Sequence, residues 1–469
     1  MRHGRVLAMP RTALLRYAGL AGSVLLAVAA YLGGARSPWQ PTVTPRTIFA
    51  GENGVLLPVA WLLGTLLLTG AWWFGRHAVP SVRWAYVTAA LWAVPLLPFL
   101  PLGSYDAYSY ACQGWQQGAA LDPYAGGVDL LGCPWPEAVS PTWLSAPAPY
   151  GPVFLILAAG AVQVGGSLAG TVAALRVIAG LGVVLIAVCL PVLAKRVGVP
   201  VERAVWLALA CPLIPIHLIS GAHNDAVMVG FVVAGLALAS RRRMWMAGVL
   251  LGLAIGIKAT AVVVVPFALL FGVRRARVEL GVALLGILLA VSLAAGRGLG
   301  WLTGLAGSGV SVQWTSPPTA VGMTIDLFGP NAVPVTRIVG IIALAVVLVL
   351  LWWRARHGGD PIRYAGYALA ATVVLAPVFH PWYAIWPLPV LAATLRRDTR
   401  WLVIPGAVAG VLCLPDGYNL ALAMKSQGAV LMTVLLIFAT GKALHEAKNR
   451  DRRRARADHV ADRLPGADT

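Results

Sequence analysis

Residues 84–110 read WAYVTAALWAVPLLPFLPLGSYDAYSY. Residues 84–102 carry no charge, and about 20 apolar residues suffice to cross a bilayer as a helix, so this stretch reads as a crossing that leaves the membrane at Gly103. The next segment sets the side. From Gly103 to Pro152 there are four carboxylates (Asp106, Asp122, Asp129, Glu137) and no Lys or Arg, in a chain of formal net charge +19. The basic residues gather elsewhere: Arg241 to Arg243, then Arg274, Arg275 and Arg277, then Arg354 and Arg356, then Arg396, Arg397 and Arg400, each group directly after an apolar run. Basic loops are retained on the cytoplasmic side during insertion, so the clusters fall inside and the acidic loop outside.

Composition agrees. With 59% hydrophobic and 11% charged residues and a mean hydropathy of +0.78, the chain has more apolar surface than one soluble core can hide. Its 51 Gly and 33 Pro suit membrane helices, where neighbours satisfy freed backbone groups. A pI near 10.4 would suggest nucleic acid if the charge formed one patch; dispersed as it is, no nucleic acid partner is expected. Arg2, Arg5, Arg11 and Arg16 precede an apolar stretch ending near Ala30, which reads either as a cleaved signal or as an uncleaved first span. The span keeps every later basic cluster inside. Five cysteines are too few for a disulfide scaffold. Cys112 and Cys133 share the acidic loop, and an extracytoplasmic loop permits a bridge between them; two unpaired thiols are the alternative.

Hydropathy places spans at 17–34, 55–74, 84–102, 173–194, 203–219, 226–240, 244–257, 259–273, 279–296, 336–353, 363–379, 382–395, 401–416 and 427–443, about fourteen crossings, with 153–168 lying at the outer interface. The expectation is an all-α polytopic membrane protein. It has a cytoplasmic basic segment (1–16), a transmembrane catalytic region (17–443) with external loops at 103–172 and 297–335, and a charged, disordered cytoplasmic tail (444–469).

Several polar residues stand out at the predicted outer turns. Asp106, flanked by Tyr105, Tyr108 and Tyr110, suits deprotonation of a sugar hydroxyl, since rings stack on sugar faces while the carboxylate accepts a proton. It suits equally a cap for a helix starting at Ala107. Leu121-Asp122-Pro123-Tyr124 reads first as a turn, with Asp122 and Tyr124 as candidate substrate contacts, and Pro149-Tyr150-Gly151-Pro152 as an elbow whose Tyr150 faces the site. His223-Asn224-Asp225 is either a capped turn or a functional cluster, because polar residues at membrane depth are costly unless they face water or each other. His223 and Asp225 are two metal candidates without a third at fixed spacing; a divalent cofactor stays open and no metal ligand set is assigned. Lys258, alone in an apolar run, either snorkels to the interface or holds a phosphate, as a compact charge does well; Arg176 is a second candidate for that phosphate. His380-Pro381-Trp382-Tyr383 sits at a further outer turn, as interface anchors or as sugar contacts.

The ordered set Ser104-Tyr105-Asp106-Ala107-Tyr108, Leu121-Asp122-Pro123-Tyr124, Pro149-Tyr150-Gly151-Pro152, His223-Asn224-Asp225-Ala226, Lys258 and His380-Pro381-Trp382-Tyr383 resembles the polyprenol-phosphomannose-dependent α-1,6-mannosyltransferases of lipomannan synthesis, members of the GT-C superfamily of membrane glycosyltransferases. The resemblance implies a GT-C-like bundle in the plasma membrane with both termini cytoplasmic. It implies a polyprenyl-phosphate sugar donor, a mannan or lipomannan acceptor, and an acidic base in the first external loop, here at Asp106. Many members carry Arg or another polar residue just before that base, where this chain has Tyr105. Inverting transfer of mannose is then expected, with Lys258 and Arg176 on the donor phosphate. Another lipid-linked sugar such as arabinose, or a lipid or sugar transporter, is the alternative; the chain shows no two matching halves, which a repeat-built transporter would.

Overall fold

The computed structural model describes residues 10–41, 47, 54–329, 331–396 and 399–461; Arg2, Arg5 and Arg397 of the basic clusters lie outside them. In chain order the longer helices are α1 (Arg11–Gly33), α2 (Leu56–Gly75), α3 (Val82–Ala93), α4 (Asp106–Gly118), α5 (Pro152–Gly165), α6 (Leu168–Val197), α7 (Val201–Leu209), α8 (Asp225–Ser240), α9 (Met244–Ile257), α10 (Arg274–Ala294), α11 (Pro317–Asp326), α12 (Val333–Arg356), α13 (Pro361–Leu375), α14 (Arg400–Val411) and α15 (Lys425–Ala461). Among the described residues there is no strand, and a single isolated bridge joins Cys413 to Asn419. The chain is an all-α polytopic membrane protein.

Helices α1, α2, α6, α10, α12 and the first half of α15 are long and apolar enough to cross a membrane. A seventh crossing arises if α7 and the π-helical turn Ile214–Ser220 count as one span, bent by 60°. Helical crossings were expected at 203–219, 259–273 and 382–395, short and kinked where Gly and Pro recur, and the chain there is short, bent or 3₁₀. Pro212, Pro215, Pro266, Pro381, Pro387 and Pro389 each remove a backbone donor and clash with the preceding turn. Segments 203–219 and 382–395 are deeply buried, where protein rather than lipid meets the freed backbone groups, while 259–273 is only partly so, with Val262 exposed. The span expected at 401–416 also ends early, with α14 at Val411.

Helix starts and stops follow local chemistry. Ser81 and Ser167 accept hydrogen bonds from Trp84 N and Gly170 N to cap α3 and α6, Asp360 does the same for α13 through Arg363 N, and Gly198 ends α6 with φ +75°, a conformation glycine adopts without strain. At the centre, α8 packs between α6 and α9 and is almost wholly buried. Gly182 of α6 faces Ala226, Val227 and Gly230 of α8, the small-residue contact that lets two membrane helices approach closely. At the periphery, α12 turns Ile338, Val339, Ile342, Val346 and Val349 outward, a face that only lipid can cover favourably.

Helix α15 continues to Ala461, where the charged composition pointed to a disordered tail. Residues 442–461 contain no Gly or Pro and are rich in Ala and Arg, which are strong helix formers. That propensity outweighs the charge.

In the acidic loop, Cys112 of α4 is bridged to Cys133, with Cα atoms 5.3 Å apart. Around the bridge, Val128 and Val139 form a small core against Trp135, Trp143 and Leu144. The bridge closes a loop of sequence separation 21, so its reduction is expected to cost roughly 3 kcal/mol. A melting temperature that falls in reductant for the intact protein, but not for a Cys112→Ala, Cys133→Ala variant, checks this.

Candidate active site

Asp106 is the first residue of α4, after Tyr105 as N-cap. Its side chain does not cap the helix: Ser104 Oγ accepts from Asp106 N at 3.0 Å, and the carboxylate turns instead toward His223, with Oδ2 3.7 Å from Nδ1. Asp225 is likewise the first residue of α8, and Asn224 makes no capping bond. Asp225 Oδ2 lies 3.9 Å from the same His223 Nδ1. Its Oδ1 accepts from Lys258 Nζ at 2.7 Å and from Trp386 Nε1 at 2.5 Å. Both capping alternatives therefore give way to a polar cluster in which His223 separates two carboxylates, each at a positively polarised helix N-terminus.

Aromatic rings enclose this cluster. Lys258 Nζ stands 4.7, 5.2 and 5.6 Å from the ring centres of Tyr383, Trp386 and Tyr150, within cation–π range. It does not snorkel. His223 lies 4.2 Å from Trp382 between ring centres, and Trp382 stacks on His380 at 4.5 Å. Tyr110 OH is 3.3 Å from His223 Nδ1. His223 Nε2, both Asn224 amide atoms and Asp225 Oδ2 are buried without a hydrogen-bond partner among the described residues, so unspent hydrogen-bonding capacity is concentrated directly behind the pocket wall. Among the described residues no three His, Cys, Asp or Glu side chains are placed to hold a metal ion.

From this cluster only Asp106, His380 and Trp382 reach an open pocket, where Trp39, Tyr105, Trp143 and Tyr418 bring further rings and Ser140, Gln313 and Asn419 hydrogen-bonding groups. Burial pushes the Asp106 carboxyl up to about 6; the Lys258 charge and the Ser104 hydrogen bond pull it down, and the Asp225 charge adds to the rise. Burial, aided by His217, Lys258 and His380, holds His223 well below the usual imidazole range, so its approach to Asp106 is a polar contact rather than an ion pair. A carboxyl tuned near 6 accepts protons efficiently close to neutrality. Activity is accordingly expected to fall as pH drops below about 6 and Asp106 becomes protonated; a pH–rate profile that stays flat well below that point removes Asp106 from the rate equation.

Other residues singled out in the sequence lie elsewhere. Arg176 makes no contact with the pocket; its guanidinium is engaged by the carbonyls of Leu97, Phe99 and Ser220, which withdraws it from the donor phosphate. Asp122 Oδ1 accepts from Tyr124 N at 3.0 Å, the turn its sequence suggested, and Tyr124 OH donates to Tyr150 O at 3.0 Å. Tyr108 OH donates to Ala35 O at 2.6 Å. These three shape the loop without lining the pocket.

Trp39 and the 417–422 part of the pocket wall come from segments that sequence reasoning passed over, whereas Gln313 falls in the expected external loop 297–335. Trp39 follows α1, and its N donates to Glu137 O at 2.7 Å. Gln313 Nε2 lies 3.0 Å from His380 Nδ1, in a loop tied to the 376–379 backbone by Thr315, Ser316 and Thr319. Tyr418 and Asn419 belong to a hairpin whose Leu414 O accepts from Gly103 N at 3.1 Å. Gly417 (φ +78°) lies flat against the Tyr105 ring, and Gly103 (φ +68°) is wedged between Cys413 and His217; a side chain at either would meet both a strained backbone and a filled space. The Pro415-Asp416-Gly417 turn signal would have revealed this hairpin.

Residues 16–274 match the family model described as alpha-(1->6)-mannopyranosyltransferase, N-terminal domain, and residues 318–441 match MptB C-terminal domain. Among curated relatives, alpha-(1->6)-mannopyranosyltransferase A of Mycobacterium tuberculosis is 33% identical over 85% of this chain and 84% of its own. Alpha-(1->6)-mannopyranosyltransferase B of Corynebacterium glutamicum is 31% identical over 82% and 74%. A probable alpha-(1->6)-mannopyranosyltransferase of Mycolicibacterium smegmatis is 29% identical over 92% and 89%. No solved structure matches the chain.

Proposed function

Because the chain belongs to the alpha-(1->6)-mannopyranosyltransferase family, we propose that it transfers mannose from polyprenyl-phosphate mannose to an α-(1→6)-linked mannan or lipomannan acceptor at the extracytoplasmic face of the membrane. The observation that carries this reading is a buried carboxylate, Asp106, at the wall of a pocket lined by Trp39, Tyr105, Trp143, Trp382 and Tyr418. Aromatic faces suit sugar rings, and a carboxylate suits the acceptor hydroxyl.

Asp106 takes the proton of the acceptor 6-hydroxyl as that oxygen bonds to C1 of the donor mannose. The C1–O bond to phosphate breaks on the opposite face, so a β-linked donor gives an α-linked product and polyprenyl phosphate departs as a monoester. The leaving group needs a cation more than an acid. Lys258 has three donor hydrogens and one protein hydrogen-bond partner, Asp225, so two remain for a phosphate oxygen. Tyr105, Tyr150, His223, Asn224, His380, Trp382 and Tyr383 shape the two sugar positions. The isoprenoid tail confines the donor to the interface, which supplies by geometry the orientation that a nucleotide-binding domain supplies elsewhere.

The test uses purified protein in nanodiscs, radiolabelled polyprenyl-phosphate mannose and a short α-(1→6)-linked oligomannoside. Label in a product one α-(1→6)-mannose longer is the expected result. Equal labelling from a polyprenyl-phosphate arabinose, or movement of the lipid donor across the bilayer without product, overturns the assignment.

A further inference from the structure

Arg176 of α6 is a buried cation, 9% exposed, with no acidic partner among the described residues. All of its observed hydrogen bonds go to backbone carbonyls: Nη1 to Leu97 O at 2.7 Å, Nη2 to Phe99 O at 2.6 Å, and Nε and Nη2 to Ser220 O at 3.1 and 2.9 Å. These carbonyls belong to two separate strips of irregular chain. Residues 97–105 lead from the 3₁₀ turn that closes α3 into Asp106, and contain Pro98 and Pro101. Residues 220–224 lead from the π-helical turn into Asp225 and contain Ala222 at φ +52°, an unfavourable conformation for a residue with a Cβ. Leu97 N donates to Val94 O and Gly221 N to Ile216 O in the manner of the flanking turns, and the residues further along each strip are held by other contacts.

Ser220 adds to the junction. Its Oγ accepts from Leu102 N at 3.1 Å and donates to Leu100 O at 3.5 Å. The two strips are therefore stitched together by one guanidinium and one hydroxyl, a few residues before each carboxylate of the site. The planar fork of arginine reaches several carbonyls at fixed angles, which the single point of an ammonium does not.

The geometry assigns Arg176 as a positioning residue that sets the distance of Asp106 from Asp225 across His223, without touching substrate. This rests on the proposed role of Asp106, and it replaces the donor-phosphate role that the sequence suggested for Arg176. A displacement of about 1 Å at a reacting group costs on the order of 100-fold in rate. Arg176→Lys keeps the charge and loses the fork. In purified enzyme, normalised to folded protein, it is expected to lower kcat about 10- to 100-fold while leaving KM for donor and acceptor within about twofold. A raised donor KM with kcat kept overturns the proposal in favour of a donor contact, and unchanged kcat overturns it outright.

Should Arg176→Lys fail to accumulate, Ser220→Ala carries the test alone, since it removes only the hydroxyl's bonds. A fall in kcat of about fivefold, the worth of one hydrogen bond, with both KM values unmoved supports the clamp; an unchanged kcat overturns it. Asp106→Asn measured alongside separates the two readings. Full turnover in Asp106→Asn removes the base whatever Arg176 does, whereas an active Arg176→Lys beside an inactive Asp106→Asn removes only the clamp.

Discussion

Asp106→Asn will slow mannosyl transfer by about 10²- to 10⁴-fold, the usual contribution of a positioned general base, and will not destabilise the protein. The amide keeps the shape of the side chain and its place beside His223, so binding of both sugars is retained and the loss falls on kcat. The stability sign follows from the folded-state pKa, pushed up to about 6 by burial. A carboxyl raised above its unfolded value disfavours the fold in its ionised form, so this group's contribution weakens as pH climbs from about 4 to about 6 and is least favourable at neutrality. Replacing it with a neutral amide relieves that penalty, and the melting temperature at neutral pH is expected to hold or rise. Turnover assays and thermal melts on the same preparation check both statements; near-normal turnover, or inactivity with a collapsed melt, rejects the base.

Lys258→Gln has the second largest expected effect, and it mixes two causes. Asp225 is fully buried and accepts from Lys258 Nζ and Trp386 Nε1. Removing the ammonium strands a carboxylate in a dry site, which costs about 3–5 kcal/mol and lowers the yield of folded protein. The double variant Lys258→Gln, Asp225→Asn replaces the ion pair with two neutral amides and removes that penalty. Folding is expected to recover and turnover to stay depressed by at least about tenfold, since no cation then meets the departing phosphate. Recovery of both would make the pair a purely structural device.

The membrane character and the inner polar cluster were legible because the chain is otherwise so apolar. In such a background Asp106, His223, Asp225, Lys258 and His380 are conspicuous, and each stands at a turn where spans meet. What they do to one another was not legible. Nothing in the sequence says that Lys258 is paired with Asp225, since the residues are 33 positions apart. Arg176 was misjudged for a related reason: a lone arginine in an apolar run can serve an anion or a set of carbonyls, and carbonyl positions depend on how remote strips of backbone come to rest. Trp39 and Tyr418 were missed because an aromatic side chain beside a membrane has many ordinary uses. Hydropathy does not fix the count of spans where proline recurs, since it measures how greasy a segment is and not whether it can wind.

The pocket is built at a seam. Trp39, Asp106 and Trp143 fall in the first matched region, Trp382 and Asn419 in the second, and Gln313 between them. During synthesis the cavity therefore stays open on one side until nearly the whole polypeptide has emerged and threaded into the bilayer. Asp106 is among the earliest parts to arrive and its chamber among the last to close, so an incompletely translated copy left in the membrane lacks a finished pocket.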